Sequence, residues 1–84
     1  MDNQQLAERL TYPLLVNQVA RVDGQKVVID IFRGSKTLRN QRKVAEIELP
    51  LAEAVAIFEQ GQSEWYRHVQ RLDGDLGISY SRFD

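Results

Sequence analysis

Apolar residues at every second position predict three β-strands, over residues 14–22, 26–32 and roughly 42–49. A period of two places alternate side chains on opposite faces of a strand, so each strand has one apolar face and one mixed face. Asp23-Gly24 separates the first two strands and predicts a tight hairpin turn, because both residue types tolerate positive φ. In the third strand, alternation assigns Ala45, Ile47 and Leu49 to one face. It assigns Arg42, Val44, Glu46 and Glu48 to the other face.

Helical spacing appears before and after these strands. Leu6 and Leu10 predict a short N-terminal helix over residues 2–10, with Asp2 or Asn3 as its cap, and Pro13 ends it. We therefore expect residues 1–12 to form a helical or frayed arm and residues 13–84 to form a single α+β domain. Pro50 suits the first turn of a second helix.

The length of that second helix allows two interpretations. A four-three spacing of mainly apolar residues runs from Leu51 to Leu72 and favours one long helix that tolerates Gly61. The alternative places a strand over 64–72 and joins it through Asp73-Gly74 to a strand over 76–82, since aromatic and β-branched residues favour strands. Both interpretations include the last strand. The favoured fold is α+β: an antiparallel sheet of three strands plus a C-terminal strand, packed on a long helix.

Charge is distributed unevenly along the chain. Of eleven basic residues, five fall within residues 33–43, which contain no acid, whereas residues 44–64 contain five glutamates and no lysine or arginine. The basic segment lies between the second and third strands, so we expect a hairpin whose exposed connection binds an anionic partner. The alternative is a solvated loop whose cations pair with neighbouring glutamates. The net charge of −1 argues against nucleic-acid binding, because most nucleic-acid-binding domains are basic overall.

Residues suited to catalysis or metal binding are scarce. His68 is the single histidine, cysteine is absent, and the serines lack a nearby base in the sequence. Asp73 and Asp75 resemble only a fragment of a calcium loop. We therefore expect a non-enzymatic protein without cofactor or metal. Without a long apolar run or a signal-peptide pattern, we also expect a cytoplasmic protein with no membrane partner.

Several short motifs occur in a familiar order. They are residues 19–21 with Asp23-Gly24, residues 26–31, Leu38-Arg39, Arg42-Lys43, and residues 47–49 leading into a helix. Over residues 16–60 this order resembles the single-stranded-DNA-binding domain of the transcriptional positive coactivator (positive cofactor four) family. The resemblance implies a curved antiparallel sheet and dimerisation through the C-terminal helix, with single strands bound along sheet grooves and basic loops. It also implies phosphate contacts by Lys26, Arg39 and Lys43. Phe32 departs from the family, which tends to place an arginine there.

The sequence thus favours a homodimeric, non-enzymatic module that binds single-stranded nucleic acid in transcription or DNA handling. Phe32 is the candidate for stacking on a base. The candidate nucleic-acid-binding residues are Lys26, Phe32, Arg33, Lys36, Arg39, Arg42 and Lys43. The candidate dimer-interface residues are Val55, Phe58, Trp65 and Val69, with the core as the other location considered for Phe58 and Trp65. The alternative function is a protein–protein interaction adaptor or inhibitor whose basic loop engages an acidic protein.

Overall fold

A computed structural model describes residues 2–33 and 42–76 and has an α+β architecture. Its elements are α1 (Asn3–Thr11), β1 (Gln18–Asp23), β2 (Lys26–Arg33), β3 (Arg42–Pro50), α2 (Leu51–Gln60) and α3 (Gln62–Asp75). The strands form an open sheet in the order β1-β2-β3, and both neighbouring pairs are antiparallel. The three predicted strands and the N-terminal helix are therefore confirmed, although the first strand begins at Gln18 and not at residue 14. Among the described residues, no helix combines the length and apolarity needed to cross a membrane.

The β1–β2 turn is as tight as the sequence predicts, but it lies one residue later. Asp23 pairs with Lys26 as the last rung of the ladder, which leaves Gly24 and Gln25 as the two turn residues. Gly24 has a φ of 63°, and no non-glycine residue among those described has a positive φ. The first position of such a two-residue hairpin requires a positive φ, which glycine adopts without the strain that a side chain brings.

All three helices contribute to a core on one face of the sheet. The apolar strand residues on that face are Ala20, Val27, Ile29, Ile31, Ile47 and Leu49, and they cluster with Leu10, Ala54, Trp65 and Val69 from the helices. The Trp65 indole Nε1 donates a 2.7 Å hydrogen bond to the Leu10 carbonyl oxygen, which joins α1 to α3. Because Leu10 is fully buried, the N-terminal helix forms part of this core.

The prediction of a single long helix is wrong, because α2 ends and α3 begins at Gly61. Gly61 has φ 139° and ψ 153°, a backbone region that is essentially restricted to glycine. Its carbonyl oxygen accepts the Trp65 amide at 3.1 Å, so the same residue begins α3. The alternative strand over 64–72 is also wrong, since those residues are helical. Leu76 lies at the C-cap of α3, and the rest of the expected C-terminal strand lies outside the described residues.

Candidate functional site

Two arginines face each other where the β2–β3 ladder ends. Arg33 and Arg42 are direct cross-strand partners, and the connection between them contains Lys36 and Arg39, which lie outside the described residues. The pKa of the Arg33 guanidinium is lowered, first by burial and then by the positive charge of Arg42. Like charges directly opposite each other destabilise a sheet. The ladder thus places two guanidinium-bearing residues opposite each other at this end of the sheet, which we call the hairpin end.

A β-bulge changes which basic residues share a face. Ile31 pairs with Ala45 but Phe32 pairs with Lys43, so Val44 is an extra residue in β3. Lys43 consequently shares with Phe32 the outer face, defined as the sheet face opposite the helices. Arg42 shares the helix-side face with Arg33. The alternation predicted from sequence placed Arg42 with Glu46 and Glu48, and the bulge makes that assignment wrong.

Lys43 belongs to a ring of charges on the outer face that joins all three strands. Arg21 Nε donates to Asp30 Oδ2 at 2.9 Å, and Arg21 Nη2 lies 3.4 Å from Glu46 Oε1. Lys43 Nζ donates to the same Glu46 Oε1 and lies 3.6 Å from Asp30 Oδ1. We call these four residues the outer-face ion network.

The electrostatics of the network follow from these contacts. The hydrogen bond to Asp30 raises the pKa of Arg21, and the hydrogen bond to Glu46 raises the pKa of Lys43. The hydrogen bond from Lys43 lowers the pKa of Glu46. The two cations and two carboxylates of the network balance, and Arg21 Nη1 also lies 3.9 Å from Asp23 Oδ2, a third carboxylate beside it. Its basic members are therefore already compensated by the protein's own acids.

Lys26 lies at the opposite end of the sheet from Phe32, Arg33, Arg42 and Lys43. It is seven positions from Arg33 along β2, about 23 Å at the usual rise of a strand. Its ammonium group contacts Glu48 Oε1 at 3.0 Å, and this hydrogen bond raises the pKa of Lys26. Internal pairing with glutamates, the alternative expected for the basic segment, thus occurs at Lys43 within that segment and at Lys26 outside it.

The residues expected at a dimer interface separate into two groups. Trp65 and Val69 are 0 % exposed within one protomer, so neither presents a surface to a second copy. The interface assignment of these two residues is therefore wrong, because their stripe of α3 faces the protomer's own core. Val55 and Phe58 are half-buried on α2 and retain some accessible surface.

Sequence reasoning missed Arg21 and Asp30 as parts of a possible site. The alternation in β1 and β2 could have assigned both residues to the outer face. Their contact with Lys43 could not be predicted, because the β-bulge determines on which face Lys43 lies. Across residues 2–33 and 42–76, no group of three metal-ligating side chains lies close enough to hold a metal ion. No family model, curated protein or solved structure matches the chain.

Proposed function

We propose that this protein is a small non-enzymatic module that binds single-stranded nucleic acid at the hairpin end, in transcription or DNA handling. The observation that carries the proposal is the direct cross-strand pairing of Arg33 with Arg42, beside a connection that contains Lys36 and Arg39. A phosphate between two guanidinium groups would offset their mutual repulsion. Arginine suits this role because its planar group offers paired N–H donors to phosphate oxygens.

The same end of the sheet also supplies an aromatic side chain. Phe32 precedes Arg33 and stands opposite Lys43 on the outer face. A single strand passing over the hairpin end would meet the two arginines on one side of the sheet and Phe32 on the other. Stacking on an aromatic ring and contact with phosphates together give affinity with little sequence preference.

A second candidate function is the binding of an acidic protein, and an apolar surface favours it. Val16 is 82 % exposed and Leu15 is 43 % exposed, in the turn that leads into β1. Asn17 exchanges hydrogen bonds with Phe32, so this turn lies at the same end of the sheet as Arg33. Exposed aliphatic side chains beside cations suit an acidic peptide that also carries apolar residues.

The proposal retains three features expected from the sequence: a curved sheet, a homodimer and a C-terminal strand, which would begin after Leu76 because Leu76 is the C-cap of α3. A dimer would have to use a surface that excludes the buried Trp65 and Val69. Of the four residues expected at the interface, only Val55 and Phe58 have accessible surface for a second copy. Added apolar burial gives a chain of 84 residues a reason to pair, since small domains bury a limited fraction of their surface.

The test is a fluorescence-polarisation titration of a labelled oligothymidylate at 50 and 200 mM salt. If four phosphates are neutralised, the affinity should fall roughly fifty-fold over this range. Arg42→Gln should reduce the salt slope by about 0.7, the contribution of one phosphate contact. The matched control is Arg67→Gln, which removes an exposed cation on α3 that pairs with Glu64 and should leave the slope unchanged.

Three results would count against this proposal. Salt-independent binding, or an equal effect of both arginine substitutions, would remove the hairpin end as the site. Tighter binding of poly-L-glutamate than of oligothymidylate at equal salt would favour the acidic-protein alternative.

A further inference from the structure

One carboxylate oxygen in the outer-face ion network is contacted by two cations. Glu46 Oε1 lies 3.4 Å from Arg21 Nη2 and accepts a hydrogen bond from Lys43 Nζ. Lys43 lies on β3 together with Glu46, whereas Arg21 lies on β1 and reaches this oxygen across β2. An arginine and a lysine that share one anionic oxygen form the arrangement expected of a phosphate-binding pair.

The two carboxylates of the network differ in how firmly they are held. The Asp30 side chain is 12 % exposed, whereas the Glu46 side chain is 36 % exposed. Asp30 lies on the central strand and contacts Arg21 through Oδ2 and Lys43 through Oδ1. Asp30 Oδ1 is buried without a hydrogen-bond partner, so the Lys43 charge at 3.6 Å is its compensation. Asp30 is thus a fixed support for both cations, whereas Glu46 can turn into solvent.

We propose that Arg21 and Lys43, positioned by Asp30, form a binding site for one phosphate group of a polyanion, and that Glu46 occupies this site in the free protein. This inference rests on the proposed function and adds Arg21 to its residues. The site adjoins the hairpin end, because Lys43 follows Arg42 in β3. It extends the path of a bound strand from the two arginines onto the outer face.

Exchange of Glu46 for a phosphate conserves the charge of the network. A phosphodiester group has one negative charge, as the glutamate carboxylate does, so the net charge around Arg21 and Lys43 is the same after the exchange. The phosphate offers two non-bridging oxygens, one for each cation. Arg21 and Lys43 side chains are each 43 % exposed, so a ligand can reach them without rearrangement of the strands.

Glu46→Gln tests the inference, with Glu48→Gln as its matched control. Both substitutions remove one negative charge from the same face of β3 and preserve side-chain size. Glu48 contacts Lys26 at the far end of the sheet and has no contact with Arg21 or Lys43. A fluorescence-polarisation titration with a labelled 15-residue oligothymidylate compares the two variants. Urea unfolding of each variant confirms that the sheet is intact.

Glu46→Gln should tighten binding about two- to fivefold, because removal of an exposed ion-pair partner raises the fraction of protein whose site is open. Glu48→Gln should change affinity by less than half of that. In a background of Arg21→Gln, the gain from Glu46→Gln should disappear, since one of the two cations is then missing. Arg21→Gln alone should weaken binding and lower the salt slope by about 0.7.

Equal gains from Glu46→Gln and Glu48→Gln would show an effect of net charge alone and overturn the site. An unchanged or weakened affinity in Glu46→Gln, with salt-dependent binding and sensitivity to Arg42→Gln intact, would overturn this inference and leave the proposed function standing. If neither wild type nor any variant binds the oligothymidylate at 50 mM salt, the proposed function and this inference both fail.

Discussion

Replacement of Trp65 by phenylalanine should remove a large share of the protein's stability. The substitution deletes the indole N–H that donates a 2.7 Å hydrogen bond to the Leu10 carbonyl, and both residues are 0 % exposed. A buried acceptor left without its donor costs about 1–3 kcal/mol. The smaller ring also leaves part of the indole volume unfilled, for roughly 1 kcal/mol more.

The expected loss for Trp65→Phe is therefore about 2–4 kcal/mol. A chain of 84 residues has a total stability of roughly 4–12 kcal/mol, so the midpoint of unfolding should move far. For a domain of this size, each kcal/mol lowers Tm by about 4–8 °C. Far-UV circular dichroism in urea and on heating is the suitable assay, since the substitution removes the only tryptophan.

Tyr66→Phe is the matched control, because it removes a hydroxyl from the neighbouring residue, which is 37 % exposed. Its unfolding free energy should stay within about 0.5 kcal/mol of wild type. If Trp65→Phe unfolds with the same free energy as this control, the hydrogen bond to Leu10 does not hold α1 against α3.

Three further predictions concern the break between α2 and α3, a buried amide and the outer-face ion network. Gly61→Ala should destabilise the fold by about 1–3 kcal/mol in chemical unfolding, because φ 139° is strained for alanine. Gly74→Ala is its control: it lies within α3, where a Cβ meets nothing within 4 Å, and should stabilise the fold by up to about 1 kcal/mol. Gln18→Ala should cost about 2 kcal/mol in the same assay, since the buried Gln18 amide donates to Asp73 Oδ2 at 2.6 Å and accepts from Gln70 at 2.7 Å. The stabilisation from the lowered pKa of Glu46 is present above its ordinary pKa of 4.5 and is lost as pH falls through the folded value. The difference in urea midpoint between wild type and Glu46→Gln should therefore shrink below pH 4.5, and a difference that stays constant down to pH 3 would contradict this.

The strands could be predicted from sequence because a period of two is a local signal that survives in the fold. Successive side chains of Lys26–Arg33 lie on opposite faces of the sheet, although residues 27–31 are buried on both faces. The apolar spacing wrongly predicted one continuous helix, because the spacing continues across Gly61 and does not indicate that the chain turns there. The backbone angles of one glycine, rather than the phase of the stripe, end α2.

The candidate site was only partly predictable. A cluster of basic residues between two strands is visible in the sequence, and the pairing of Arg33 with Arg42 agrees with it. The sequence alone could not show that the bulge at Val44 moves Lys43 to the outer face and Arg42 to the helix side. Nor could it show that Asp30 and Glu46 already engage Lys43, since these contacts depend on the register of three strands.

The most direct test of polyanion binding at the hairpin end is an NMR titration of ¹⁵N-labelled protein with oligothymidylate at 50 mM salt. The account predicts that amide shift changes concentrate at Arg21, at Phe32-Arg33 and at Arg42-Lys43, and that they reverse when salt is raised. Shift changes centred on α1 or α2, or no change at all, would contradict it.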